Sequence, residues 1–203
     1  MLTHDDVVRL YGPWQDRTPR DAARLLDGYG GAWWVAGGWA VEAFTGVHRD
    51  HGDVDVSIPA VDVPLLREHL GERWHVWAAF DGAVRPLVTP QEELPGGCEN
   101  LWLRPDATSP WEYDVILMTT RGAEWVYERD ARVSRPLADV VWERDGVTHL
   151  RPEVQLLHKA PGRRAEDQRD FEVAAPLLDD AASTWLRSAL ELAHPGHPWL
   201  EQL

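Results

Sequence analysis

The stretch "GGWAVEAFTGVHRDHGDVDVSI", Gly37 to Ile58, decides how this chain is read. An apolar run, "AWWVAG", ends in a glycine pair that opens a short helical pattern. Beyond the helix comes an alternating apolar run carrying two acids, Asp53 and Asp55. In a strand, residues i and i+2 face the same side, about 6.5–7 Å apart. If "DVDVSI" is a strand, Asp53 and Asp55 project together while Val54 and Val56 face a core. Two carboxylates held close repel each other, and one protonates unless a cation sits between them. Mg²⁺ is the natural occupant, because it takes oxygen ligands from one or two carboxylates plus substrate phosphates. The competing reading is an exposed strand face with two solvated acids, and a bare D-x-D does not separate the two.

A further acid weighs on that choice. "WEYDVILM", Trp111–Met118, is an apolar strand pattern that carries Glu112 and Asp114. Tyr113, Val115 and Leu117 share one face; Asp114, Ile116 and Met118 share the other. An Asp in so apolar a strand is costly unless paired or metal-bound. If this strand neighbours "DVDVSI", Asp114 joins Asp53 and Asp55, and three carboxylates can build a two-metal site for in-line phosphoryl displacement. The third could also accept the proton of an attacking hydroxyl; whether Asp114 or Glu112 would do so stays open. Gly37 and Gly38 fit a phosphate cradle, since glycine lets anions approach the backbone and a helix N-terminus favours them, although most glycine pairs are turns. No G-x-x-x-x-G-K-[ST] exists, and "GGWAVEA" lacks G-x-G-x-x-G, so Walker A and Rossmann readings fail.

The rest of the chain sets the frame. At 203 residues, 44% hydrophobic and 27% charged, it has the composition of a globular protein with one core or a core plus an appendage. The net charge of −14 argues against nucleic acid as the main partner and suits a cationic or neutral small ligand. No apolar run is long enough to span a membrane, and the start, "MLTHDDVVRL", lacks a secretory pattern. The lone Cys98 suits a reducing cytoplasm. The twelve tryptophans are candidates for core, with a ring-binding cleft as the alternative. "THDDVVRLYG", capped by Thr3, and "PRDAARLLDGYG" read as helices, as do "WAVEAFTG" and "VDVPLLREHLG". Strands are expected at "AWWVAG", "DVDVSI", "RWHVWAAF", "AVRPLV", "NLWLRP" and "WEYDVILMTT", then two short ones within "ARVSRPLADVVWERDGVTHL". From Pro152 the pattern turns helical. The expected class is α+β: a mixed sheet with flanking helices over residues 1–150, followed by a helical C-terminal region over 151–203. The loop "TPQEELPGGCEN" holds Glu92, Glu93 and Glu99, which could meet an amine-rich ligand or simply be solvated.

Glycine pair, helix, D-x-D and a later strand acid together resemble the nucleotidyltransferase superfamily. "WWVAGGWAVEAFTGVHRDHGDVDVSI" is similar to the small aminoglycoside and lincosamide nucleotidyltransferases through Gly37, Gly38, Trp39, Gly46, Arg49, His51, Asp53 and Asp55. "RPEVQLLHKAPGRRAEDQRDFEVAAPLL" continues the likeness, with its Pro, Lys-Ala and basic-acidic run. Glu42 stands where many relatives carry Asp. The resemblance implies Mg²⁺-dependent transfer of a nucleoside monophosphate, AMP from ATP, to a hydroxyl of a small cationic acceptor, with release of pyrophosphate. It implies that Asp53, Asp55 and Asp114 hold metal and carry the catalysis, that Gly37 and Gly38 cradle the triphosphate, and that Arg49 and Lys159 contact phosphate. His51 would support the loop by a hydrogen bond. Asp167 and Asp170 would bind a cationic substrate or be solvated. An aminoglycoside-like acceptor is expected. A lincosamide, a biosynthetic metabolite or a protein acceptor is the alternative, as is a nucleotide-binding module without catalysis. A monomer or homodimer is expected.

Overall fold

The structure is a computed structural model that describes residues 4–89, 91–162 and 164–203. In chain order it begins with α1 (His4–Tyr11), α2 (Pro19–Leu25), β1 (Trp34–Val35), α3 (Gly37–Thr45), β2 (Asp55–Pro59) and α4 (Val63–Leu70). There follow β3 (His75–Phe80), β4 (Ala83–Pro86), β5 (Asn100–Arg104), β6 (Tyr113–Met118), β7 (Thr120–Arg121), β8 (Glu124–Val126) and β9 (Ser134–Pro136). The chain closes with β10 (Val141–Arg144), β11 (Val147–Leu150), α5 (Pro152–Lys159), α6 (Ala165–Ala174) and α7 (Asp180–Ala193). The cap expected from Thr3 lies outside the described residues.

The chain divides into two compact units. One holds the residues up to Trp33 and His51–Met118; the other holds Trp34–Asp50 and Thr119–Leu203. α5 and α6 pack with α3, which the sequence places among the early elements.

The first unit is built on a mixed run of strands in the order β2-β6-β5-β3-β4. β2 and β6 are parallel, with Asp55 opposite Asp114 and Val56 opposite Val115; β6–β5, β5–β3 and β3–β4 are antiparallel. On β6 Tyr113, Val115 and Leu117 are buried and Asp114 and Ile116 half-buried, as the alternation expects, while Met118 at the strand's end is buried as well. β3 and β4 are joined by Asp81-Gly82, whose φ angles of +48° and +70° are those of a type I′ turn. α2 is capped reciprocally by Thr18 and Asp21. The segment after α1 is pinned by Trp111, whose N–H donates to the Pro13 carbonyl at 2.9 Å and whose indole donates to the Tyr11 carbonyl at 2.8 Å. The Arg104 guanidinium lies over both Trp77 and Trp111, at 4.5 and 4.1 Å.

In the second unit β10-β11-β1 are neighbours, with β1 parallel and β10 antiparallel to β11. β7-β8-β9 form a small antiparallel meander that the sequence pattern did not reveal. α5 buries Val154, Leu156 and Leu157, and α7 is capped by the Asp179 carboxylate accepting from the Ala182 N–H at 2.8 Å. "AWWVAG" yields only a two-residue strand, because α3 begins immediately after Ala36. "DVDVSI" becomes strand only from Asp55, so Asp53 sits in the segment leading into β2. Several tryptophans are core, among them Trp34, Trp111, Trp125 and Trp199. Among the described residues no helix is long and apolar enough to cross a membrane.

Candidate active site

The carboxylates belong to the first unit. Parallel pairing places Asp55 and Asp114 directly opposite each other, one strand spacing apart, about 4.8 Å between backbones. Val54 and Val56, fully buried, anchor this end of β2, with Asp55 between them half-buried and Asp53 exposed just ahead. On the other side of β6, Trp102 of β5 stands opposite Asp114. Asn100, two residues along the same strand, donates its amide to Asp114 Oδ1 at 2.7 Å. Burial pushes the Asp114 carboxyl well above the ordinary carboxylate range, and the charges of Asp55 and Asp53 push it further, against the donated hydrogen bonds of Asn100 and Trp102.

Glu112, the other acid of "WEYDVILM", has a different fate. It is buried and accepts from Arg17 Nε at 2.9 Å and Nη2 at 2.5 Å, so it is committed to an internal ion pair. Geometry therefore separates the two acids between which the sequence left the choice of base open: Asp114 faces Asp55, and Glu112 faces Arg17.

Among the described residues no group of three or more His, Cys, Asp or Glu is already gathered as a metal cage. The donor chemistry nonetheless fits a hard divalent cation. Asp55 and Asp114 are adjacent oxygen donors, and the repulsion that raises Asp114 is the kind a bound cation relieves. Asp53, Asp55 and Asp114 are the residues that would hold it.

The glycine pair and its associates belong to the second unit. Gly37 has φ +65°, in the left-handed region, and both glycines are buried at the N-terminus of α3. The Gly37 N–H donates to Gln155 Oε1 on α5 at 2.7 Å, so this donor is used inside the unit. α3 ends at Gly46 with φ +72°. The loop that follows folds back on Glu42, which accepts from the Arg49 N–H at 3.2 Å and lies 3.1 Å from His48 Nδ1. The Arg49 side chain, partly exposed, meets Asp170 at 3.4 Å.

Lys159 is buried rather than displayed. Its ammonium lies 2.8 Å from Asp170 and 3.2 Å from Asp167, and Arg164 adds a second partner to Asp167 at 2.8 Å. Burial raises the Asp167 carboxyl, but Arg164 and Lys159 together hold it below its ordinary range. Asp167 and Asp170 are thus neither solvated nor open to a substrate, as the sequence reading had it. Helical spacing put them on one face, and that face turned inward onto a lysine. Asn100 and Gln155 escaped the sequence reading altogether, because what singles them out is a neighbour on another element.

Residues 20–91 match the model of a family described as aminoglycoside-2''-adenylyltransferase. The match takes in the glycine pair, Arg49, Asp53 and Asp55, and stops before Asp114. No curated protein matches the chain. Among solved structures, the fold is similar to that of the lincosamide antibiotic adenylyltransferase LnuA, lincomycin-bound, at 15% identity over 78% of this chain and 95% of that one, TM-score 0.51. It is also similar to the antibiotic-resistance factor ANT(2'')-Ia, in a solution structure at 16% identity over 85% of this chain and 88% of that one, TM-score 0.52. A crystal structure of ANT(2'')-Ia in complex with adenylyl-2''-tobramycin gives 14% identity over 84% of this chain and 93% of that one, TM-score 0.51. The chain therefore has the mixed α+β fold of these adenylyltransferases.

Proposed function

We propose that this chain is an adenylyltransferase that moves AMP from ATP to a hydroxyl of a small cationic molecule, an aminoglycoside-like antibiotic. The observation that carries the reading is the register of β2 and β6, which sets Asp55 beside Asp114 with Asp53 close enough to act on its charge. The family match over residues 20–91 supports the same chemistry.

In this reading Asp53, Asp55 and Asp114 hold Mg²⁺, which when bound neutralises triphosphate charge and that of the departing pyrophosphate. The acceptor hydroxyl oxygen attacks the α-phosphorus, the bond to the bridging oxygen of the β-phosphate breaks, and pyrophosphate leaves. Asp114 takes the hydroxyl proton as general base. Asn100 fixes the carboxylate through Oδ1.

The test is direct. Purified protein with ATP and Mg²⁺ is offered tobramycin, lincomycin and uncharged sugars, and pyrophosphate is measured with the mass of the acceptor. Acceptors heavier by one adenylyl group are expected with tobramycin. Absence of pyrophosphate across the whole set rejects the proposal; adenylylation of lincomycin alone moves it to a lincosamide acceptor.

A further inference from the structure

A cavity of about 350 Å³ opens beside Asp114 within the first unit. Its walls include three aromatic rings, Tyr11, Phe80 and Trp102, and three carboxylates, Asp81, Glu99 and Asp114. Among the described residues no lysine or arginine lines it. A larger cavity in the same unit, about 780 Å³, is lined by Arg67, Trp74 and Leu87 among others and touches none of the candidate catalytic acids.

The smaller cavity is a built feature. Directly opposed residues of an antiparallel pair share a face, so the Trp102 ring stands beside the Asp114 carboxylate. Tyr11 packs edge-on against Trp102, with ring centroids 5.5 Å apart and planes at 84°. The Tyr11 hydroxyl also donates to the carbonyl of Gly82 at the tip of the β3–β4 hairpin. A side chain from α1 thereby straps the hairpin tip across the cavity. Tyr11, Glu99, Trp102 and Asp114 all fall outside the segment that matches the family.

Aromatic faces beside unneutralised carboxylates attract cations that carry an apolar body, through ring quadrupoles and charge together. Amino-substituted sugar rings have that character: C–H faces to lie on an indole, ammonium groups to meet acids, and hydroxyls to present to Asp114. The volume suits part of such a molecule. We propose that this cavity is the acceptor subsite and that Asp81, at the hairpin tip strapped by Tyr11, and Glu99 set a preference for acceptors with several ammonium groups. This rests on the adenylyltransferase reading given above.

Asp81→Asn and Glu99→Gln remove charge and keep shape. Asn also tolerates the left-handed backbone at position 81. Tyr11→Phe removes only the strap's hydrogen bond. The double variant D81N/E99Q and Y11F are compared with the parent in full-length protein. Calorimetry reads tobramycin binding without nucleotide, and steady-state assays read KM for tobramycin and for ATP. The double variant is expected to bind tobramycin about tenfold more weakly, on the scale of two partly exposed charge pairs. Its ATP KM is expected to stay unchanged and the salt sensitivity of binding to fall. Y11F is expected to raise the tobramycin KM a few-fold, again leaving ATP untouched. Tobramycin binding and turnover equal to the parent's in both variants overturn the subsite. If tobramycin binds and the double variant weakens it but no adenylyl transfer occurs, the subsite stands and the reaction fails. If tobramycin is neither bound nor turned over by the parent, both fall.

Discussion

Lys159→Met distinguishes a buried structural charge from a phosphate contact. The Lys159, Asp167 and Asp170 side chains are 6%, 1% and 4% exposed, so solvent does little to screen them. Breaking a buried ion pair by removing one partner costs about 3–5 kcal/mol, because the remaining charge stays in a low-dielectric site. Here the loss is tempered: Asp167 keeps Arg164 at 2.8 Å, and Asp170 keeps Arg49 at 3.4 Å. The lower figure, about 3 kcal/mol, is therefore expected. For a chain of this size that corresponds to a fall in Tm of about 6–12 °C. Urea titration followed by tryptophan fluorescence and calorimetric scans measure it, with each transition assigned separately if the two units unfold apart. K159M/D170N is expected to recover part of the loss, since it removes the more weakly compensated acid. A K159M protein as stable as its parent, with the ATP KM raised tenfold or more, would refute the reasoning and return Lys159 to the phosphates.

Three further outcomes are expected. Asp114→Asn should lower adenylyl transfer by about 10²–10⁴-fold if Asp114 is the base; without Mg²⁺ it should raise Tm, since a repelled carboxylate is gone, and a Tm gain from Mg²⁺ as large as the parent's would argue against its metal role. His158, whose Nε2 is sealed from solvent with no hydrogen-bond partner among the described residues, is held down to about 4 by burial and then by Arg129. The unfolded chain takes up that proton below about pH 6.5 and the folded one does not, so stability is complete above pH 6.5 and falls between there and pH 4, by at most about 3 kcal/mol. His158→Leu should flatten that part of the urea-measured pH profile, and an unchanged profile would count against the shift. Gly37→Ala should cost about 1–2 kcal/mol in denaturant melts, because φ +65° is strained for any residue with a Cβ.

Local pattern alone settled much of this protein. The alternation in "WEYDVILM" put Tyr113, Val115 and Leu117 on one face and Asp114 on the other, because side-chain direction in a strand depends only on parity. Gly46, at φ +72°, ended α3 where the sequence said it would, because a helix stop is written in one residue. Partnership between distant segments was beyond such reading. Helical spacing correctly put Asp167 and Asp170 together, yet whether that face met water or Lys159 depended on how α5 and α6 pack. The sequence left open whether Glu112 or Asp114 would be the base; Arg17, 95 positions away, took the first, and the β2–β6 register set the second against Asp55. The same holds for Trp34–Asp50, tied to the C-terminal helices through a glycine N–H and a glutamine 118 positions away. Covalent order fixes which side chains can share a face; only burial and hydrogen bonding across the folded chain decide what each face meets.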